Sequence, residues 1–128
     1  MGKELLELYV TNPDTRVNSM DLKTVQIKVC KSAKDIYIFW ELAELMNPDG
    51  LIIIPRIKDL AEKLDVSRQA IFRILKDGEK ADFFYKEGTG IYRVNPFIFI
   101  GKRVRKNEDR ERLQKEWKEL TMHERNDR

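Results

Sequence analysis

The chain has 128 residues, 41% hydrophobic and 37% charged, with 25 basic against 22 acidic side chains and a single cysteine. That length supports one domain with one buried core, and a lone Cys30 excludes an internal disulfide and points to a reducing, cytoplasmic setting. Residues Met1 to Val10 carry Lys3, Glu4 and Glu7 among their leucines, without the apolar run of a signal peptide, and the longest apolar stretch, Leu51–Pro55, is too short to cross a bilayer.

The net charge of +3 is small but unevenly spread. Between Arg56 and Lys106 there are thirteen basic and seven acidic residues, an excess of six positive charges. An anionic polymer suits such a distribution better than a small acidic metabolite.

Residues 1–21 have no sustained period. Asn12-Pro13-Asp14 marks a turn, and the segment is expected to be a short arm, ordered on a partner. From Leu22 to Val29, Val25, Ile27 and Val29 alternate with Thr24, Gln26 and Lys28, which predicts a half-buried strand. Ser32 then offers a helix N-cap, with Asp35 three residues on. Ile36, Phe39, Trp40, Ala43 and Met46 follow at helical spacing, until Asn47-Pro48-Asp49-Gly50 ends the run.

Leu51-Ile52-Ile53-Ile54 predicts a short buried strand, and Pro55 suits the first turn of the next helix. Ile57, Leu60, Ala61 and Leu64 share one face of that helix. Asp65-Val66 makes a tight connection, and Ser67 caps a second helix whose inward face is Ala70, Ile71, Ile74 and Leu75. Asp77-Gly78 weakens or closes it, although Glu79-Lys80-Ala81 can extend it by a turn. Phe83–Tyr85 and Ile91–Val94 flank Glu87-Gly88-Thr89-Gly90, the pattern of a β-hairpin. After Asn95-Pro96 comes another apolar run, Phe97–Ile100. Finally, Asn107 can cap a charged helix bearing a narrow stripe of Leu113, Trp117 and Leu120, with i,i+4 ion pairs elsewhere.

Strand, helix, short strand, helix, tight turn, helix and hairpin is the order of a winged helix-turn-helix. The expected fold is α+β, mainly helical, with the winged helix domain at residues 22–104 and a charged C-terminal helix or tail at 105–128. With the inward face of the second helix fixed, Arg68, Gln69, Phe72, Arg73 and Lys76 point outward. Such a face fits the major groove of double-stranded DNA, where Arg forks onto guanine and Gln onto adenine. Phe72 either lies against a thymine methyl or turns back onto the hairpin. Ser67 caps the helix and presents amides to a phosphate. Lys86, Thr89 and Arg93 on the hairpin are expected to reach sugar-phosphate or the minor groove, and Lys102, Arg103 and Arg105 on the basic stretch after Gly101 to clamp the backbone.

No nucleophile–base set or phosphate loop is present, so no catalytic chemistry and no cofactor is expected. Cys30 and His123 each lack a second His or Cys nearby, which argues against a metal site. Leu113, Trp117 and Leu120 are a candidate homodimer surface, although packing on their own domain is the commoner use of such a stripe. The helix with Phe39 and Trp40 is a competing one.

Two blocks carry a family resemblance. Ile57-Lys58-Asp59-Leu60-Ala61-Glu62-Lys63-Leu64-Asp65-Val66-Ser67-Arg68-Gln69 is similar to many winged helix regulators, including MarR-like ones. Gly90-Ile91-Tyr92-Arg93-Val94-Asn95-Pro96 followed by Gly101-Lys102 more particularly resembles the RepL family of plasmid replication proteins. That resemblance implies binding to an origin in plasmid or phage replication, as initiator or controller, and transfers no active site. The alternatives are a transcriptional repressor of MarR-like type and a protein-interaction adaptor that binds no DNA.

Overall fold

Leu22, Val25, Gln26 and Val29 are buried, while Ile27, two residues from both valines, is 79% exposed. Only a helix buries that set on one side, since burial at i, i+3, i+4 and i+7 follows a 3.6-residue period. The computed structural model, which describes residues 16–17, 19–101 and 103–126, accordingly forms helix α1 over Ser19–Val29. The strand expected from Leu22 to Val29 is therefore corrected. The alternation of Val25, Ile27 and Val29 came from two core residues and one exposed residue, and packing of α1 on the later helix overrides their β preference.

The second helix, α2 (Ala33–Glu44), begins where its cap predicts. The Ser32 hydroxyl accepts the Asp35 amide at 3.2 Å, and the Asp35 carboxylate in turn accepts the Lys31 amide at 2.9 Å. Its buried side chains include Ile36, Ile38, Phe39, Trp40, Leu42 and Ala43. The turn after α2 is held by Asn47, whose side-chain carbonyl accepts the amides of Asp49 and Leu51.

Strand β2 (Leu51–Ile53) leads through Pro55 to helix α3 (Ile57–Leu64). Pro55 was expected inside the first turn of α3, but Arg56 is the N-cap and Pro55 precedes it. The Ile54 amide still bonds to Gly90 at 2.7 Å, so the chain keeps its strand direction up to the proline. Asp65 ends α3 in the left-handed conformation (φ 56°), and the Val66 amide returns to the Ala61 carbonyl at 3.0 Å. After only Asp65, Val66 and Ser67, helix α4 (Arg68–Lys80) starts. Ala61 and Leu64 of α3 are buried, as are Ile71, Ile74 and Leu75 of α4.

Gly78 does not close α4. The helix runs on to Lys80, and the glycine admits the Phe84 ring, which occupies the space a side chain at 78 would fill, 2.3 Å from an added Cβ. Strands β3 (Phe84–Gly88) and β4 (Ile91–Val94) form the expected hairpin, with Gly90 at positive φ and a register shift between Lys86 and Gly88. The three-stranded antiparallel sheet has the order β2-β4-β3. A second, two-stranded sheet pairs β1 (Arg16–Val17) with β5 (Phe99–Ile100). Part of the segment expected to be an arm ordered on a partner is thus bonded to the domain itself. Residues 1–15 of that arm lie outside the described residues.

Helix α5 (Asn107–Asn126) completes an α+β, mostly helical fold. The core packs aliphatic side chains of α1 and α4 together with an aromatic cluster contributed by α2, Phe83, β3 and β5. Phe83 lies 4.8 Å from both Phe39 and Phe84, and Trp40 meets Phe99 edge-on at 5.8 Å. Among the described residues no helix is long and apolar enough to cross a membrane.

Candidate nucleic-acid interface

The Ser67 hydroxyl accepts the Ala70 amide at 3.1 Å, so α4 opens with a satisfied cap on an exposed first turn. Burial of Ile71, Ile74, Leu75 and Gly78 fixes the rotation of the helix. A 3.6-residue period then places Gln69, Lys76 and Lys80 along the middle of the opposite face, all three exposed. Arg68 is exposed at its start. No carboxylate occurs in α4 before Asp77.

On the same helical period, Phe72 and Leu75 turn to one flank of this face and Asp77 and Ala81 to the other. A cleft lies on each flank. The first is built from Phe72 and Leu75 of α4, Ile57 and Lys58 of α3, and Lys86 and Thr89 of the hairpin. The second brings Lys28 and Lys31, at the end of α1 and just after it, beside Asp77 and Lys80. The ridge of α4 is therefore bordered by Arg56, Lys58 and Lys86 on one side and by Lys28 and Lys31, beside Asp77, on the other. Lys28 and Lys31 escape a reading of the sequence that makes 22–29 a strand. The helical spacing of Leu22, Val25 and Val29 was the signal that would have placed them.

Of the residues expected to touch DNA, Ser67, Arg68, Gln69 and Lys76 stand open on α4. Phe72 is 51% exposed and lines the first cleft with Lys86 and Thr89, so its ring turns toward the hairpin.

Arg73 and Arg93 are differently placed. Arg73 is ion-paired with Asp35, with Asp77 4.0 Å away on the next turn. Burial pushes the Asp35 carboxyl up, but the Arg73 hydrogen bond and charge, together with the Lys31 amide and Ser32 hydroxyl, outweigh it and hold the pKa below the usual carboxylate value. The Asp35 bond correspondingly raises Arg73. This arginine is engaged within the fold and is not a free reader of bases. The thiol of Cys30 beside the pair is pushed up to about 12, chiefly by burial and then by the Asp35 charge, and stays protonated.

Arg93 is a correction of face. Tyr92 and Val94 point into the core, so Arg93 projects from the other side of β4, opposite Leu51 and Tyr85. Lys86, in register with Tyr92, lies on the α4 side. Arg93 is only 13% exposed and is bonded to Glu87 at 2.8 Å and to Glu116 of α5 at 2.7 Å. It fastens α5 to the sheet.

The candidate dimer stripe is absorbed in the same way. Leu113 packs on Gly50, and Trp117 meets Tyr85 edge-on at 6.3 Å; both are buried, and Leu120 is half-buried. Phe39 and Trp40 are wholly buried in the core. Neither surface proposed for a second copy is open, because the domain has used both for its own packing. Arg103 and Arg105 are exposed on either side of buried Val104, whose amide returns to Gly101. Lys102, and the side chain of His123, lie outside the described residues.

Asn95, on which the replication resemblance chiefly turns, is buried. Its amide group donates to the Asp82 carbonyl at 2.7 Å, its side-chain carbonyl accepts the Phe97 amide at 3.0 Å, and its own amide reaches Phe83. The Asn95-Pro96 block is thus a fastening between the end of α4 and the end of the hairpin.

No protein-family model, no curated protein and no solved structure matches the chain.

Proposed function

We propose that the chain is a winged helix protein that binds double-stranded DNA by laying α4 in the major groove, with the β3–β4 hairpin as its wing. The observation that carries this reading is the two-sided basic border of α4. A helix entering the major groove meets a phosphate strand on each side, so cations are needed on both flanks and readers on the ridge between them. Arg68 and Gln69 are the open side chains with base-reading geometry, guanine for one and adenine for the other. Lys76 and Lys80 continue the ridge. Lys28, Lys31, Lys58 and Lys86 supply sequence-independent affinity.

Selection of bound duplexes from a random pool tests this reading. A recovered consensus that loses definition at one position in Gln69→Ala supports it, and recovery of the unselected pool would defeat it. Action at a plasmid or phage origin is supported by the Gly90–Pro96 and Gly101-Lys102 resemblance alone. The repressor alternative uses the same interface and differs only in what bound protein recruits or blocks.

A further inference from the structure

The first cleft has more apolar floor than a duplex can use. Its volume of about 390 Å³ has room for a base with its sugar, and Ile54, Ile57, Phe72, Leu75 and Tyr92 floor it. Arg56, Lys58 and Lys86 stand around it, and no carboxylate lines it. In a duplex the bases are paired and stacked, so only phosphates and groove edges reach a cleft on the flank of α4. The rim satisfies such a phosphate, while the Phe72 ring, 51% exposed, gains nothing from it. An unpaired nucleotide uses both parts at once. Its base lays a π face on Phe72 and its phosphates meet Lys58 and Lys86. The walls are firm as well. The Ile54 amide is bonded to Gly90, and a side chain at Gly90 would stand 2.4 Å from the Ile54 carbonyl, so hairpin and β2 meet here at backbone distance. A slot already fixed in shape costs little further ordering when a flat base enters.

We infer that this cleft between α4, α3 and the hairpin seats one unpaired base of a single nucleic-acid strand, stacked on Phe72. Lys58 and Lys86 hold the backbone on either side of that base, and Thr89, which also lines the cleft, presents a hydroxyl to it. Every base has a π face, so stacking on one ring adds affinity for unpaired strands without choosing a sequence. The site is thus separate from duplex reading by Arg68 and Gln69 and does not rest on it.

Fluorescence anisotropy of the full chain with labelled oligodeoxythymidylate, oligouridylate and an abasic DNA strand of the same length tests it. The abasic strand keeps every phosphate and lacks every base, so it reports the rim alone. The better base-bearing strand should bind about tenfold tighter than the abasic one, the gain that a single base–aromatic stack supplies. Thymidylate in that place assigns the site to DNA, uridylate to RNA. Phe72→Ala should erase the gain and leave abasic affinity unchanged, whereas Lys58→Ala with Lys86→Ala should weaken all three strands. Ile27→Ser, at an exposed apolar residue elsewhere, should change nothing. These side chains are all exposed, and circular dichroism verifies that each variant is folded. Equal affinity for the abasic and both base-bearing strands overturns the site, as does a gain that survives Phe72→Ala or is lost in Ile27→Ser. A gain dependent on Phe72 in a chain that binds no duplex would uphold this site and sink the duplex reading. Selection of a duplex consensus by a chain that does not tell bases from abasic sugar would do the reverse.

Discussion

The guanidinium of Arg73, on the outward side of α4, is hydrogen-bonded and ion-paired to the buried carboxylate of Asp35 on the first turn of α2. The pair ties the candidate reading helix to the helix beneath it, so that α4 is held by a polar fastening as well as by Ile71 and Ile74. Asp35→Asn keeps the shape and removes the charge. Loss of one partner of a buried pair costs about 3–5 kcal/mol, but the Arg73 side chain is 41% exposed and water screens it, so about 1–2 kcal/mol is expected. Urea unfolding measures it.

The same carboxylate sets a pH dependence. Its folded pKa lies below the ordinary value, so the native state binds fewer protons than the unfolded chain in acid. The stabilisation it gives is complete above the ordinary carboxylate range and is lost as pH falls through the depressed native value. Urea midpoints of the wild type should therefore decline over that acid window more steeply than those of Asp35→Asn. Equal slopes would show that the pair contributes nothing.

Gly78→Ala reverses the usual expectation for a helix interior. Alanine is favoured over glycine there by about 1 kcal/mol, yet its Cβ would sit 2.3 Å from the buried Phe84 ring. Overpacking of that kind costs about 1–3 kcal/mol and more than cancels the gain where the ring cannot retreat. Net destabilisation is expected in thermal or urea unfolding, partly relieved by Phe84→Leu in the same chain.

Trp117→Ala should detach α5 from the sheet. Trp117 is 6% exposed and lies on Tyr85 beside the Arg93–Glu116 pair, and truncation of a buried tryptophan costs about 3–5 kcal/mol. Hydrogen exchange should show the α5 amides losing protection ahead of α2 and α4. Light scattering should show the same molecular mass before and after, because the ring packs within its own chain.

Much of this architecture is legible in the residues. Ser32, Ser67, the Asn47–Gly50 turn and the glycines of the β3–β4 connection each state a local geometry that the chain adopts. Where reading failed, a tertiary partner decided. The segment at 22–29 carries apolar residues compatible with two periods, and contact of α1 with α4 selects the helical one. Arg73 and Arg93 read in sequence like surface cations with at most a nearby carboxylate, since the partners that tie them to other helices, Asp35 and Glu116, lie 38 and 23 residues away. For Arg93 a local sign existed: its neighbours Tyr92 and Val94 face the core, so it must face away from α4.

The proposed division of labour on DNA predicts separable losses. Arg68→Ala or Gln69→Ala should cost about 1–3 kcal/mol of preference for the selected duplex and little affinity for a random one. Lys28→Ala with Lys31→Ala should weaken both duplexes alike. Arg93→Ala should lower stability while leaving base preference intact. Fluorescence anisotropy with paired labelled duplexes distinguishes the three.

The most direct measurement is the salt dependence of duplex affinity for the wild type and for a variant with Lys28, Lys31, Lys58 and Lys86 all changed to alanine. Each phosphate contact contributes a slope of about −0.9 in log K against log salt concentration. The wild type should bind with a steep negative slope, and the variant should lose about three or four of those increments while Arg68 and Gln69 still choose the same sequence. Parallel lines for the two proteins, or no duplex binding even at low salt, would contradict the assignment of α4 and its basic borders to DNA.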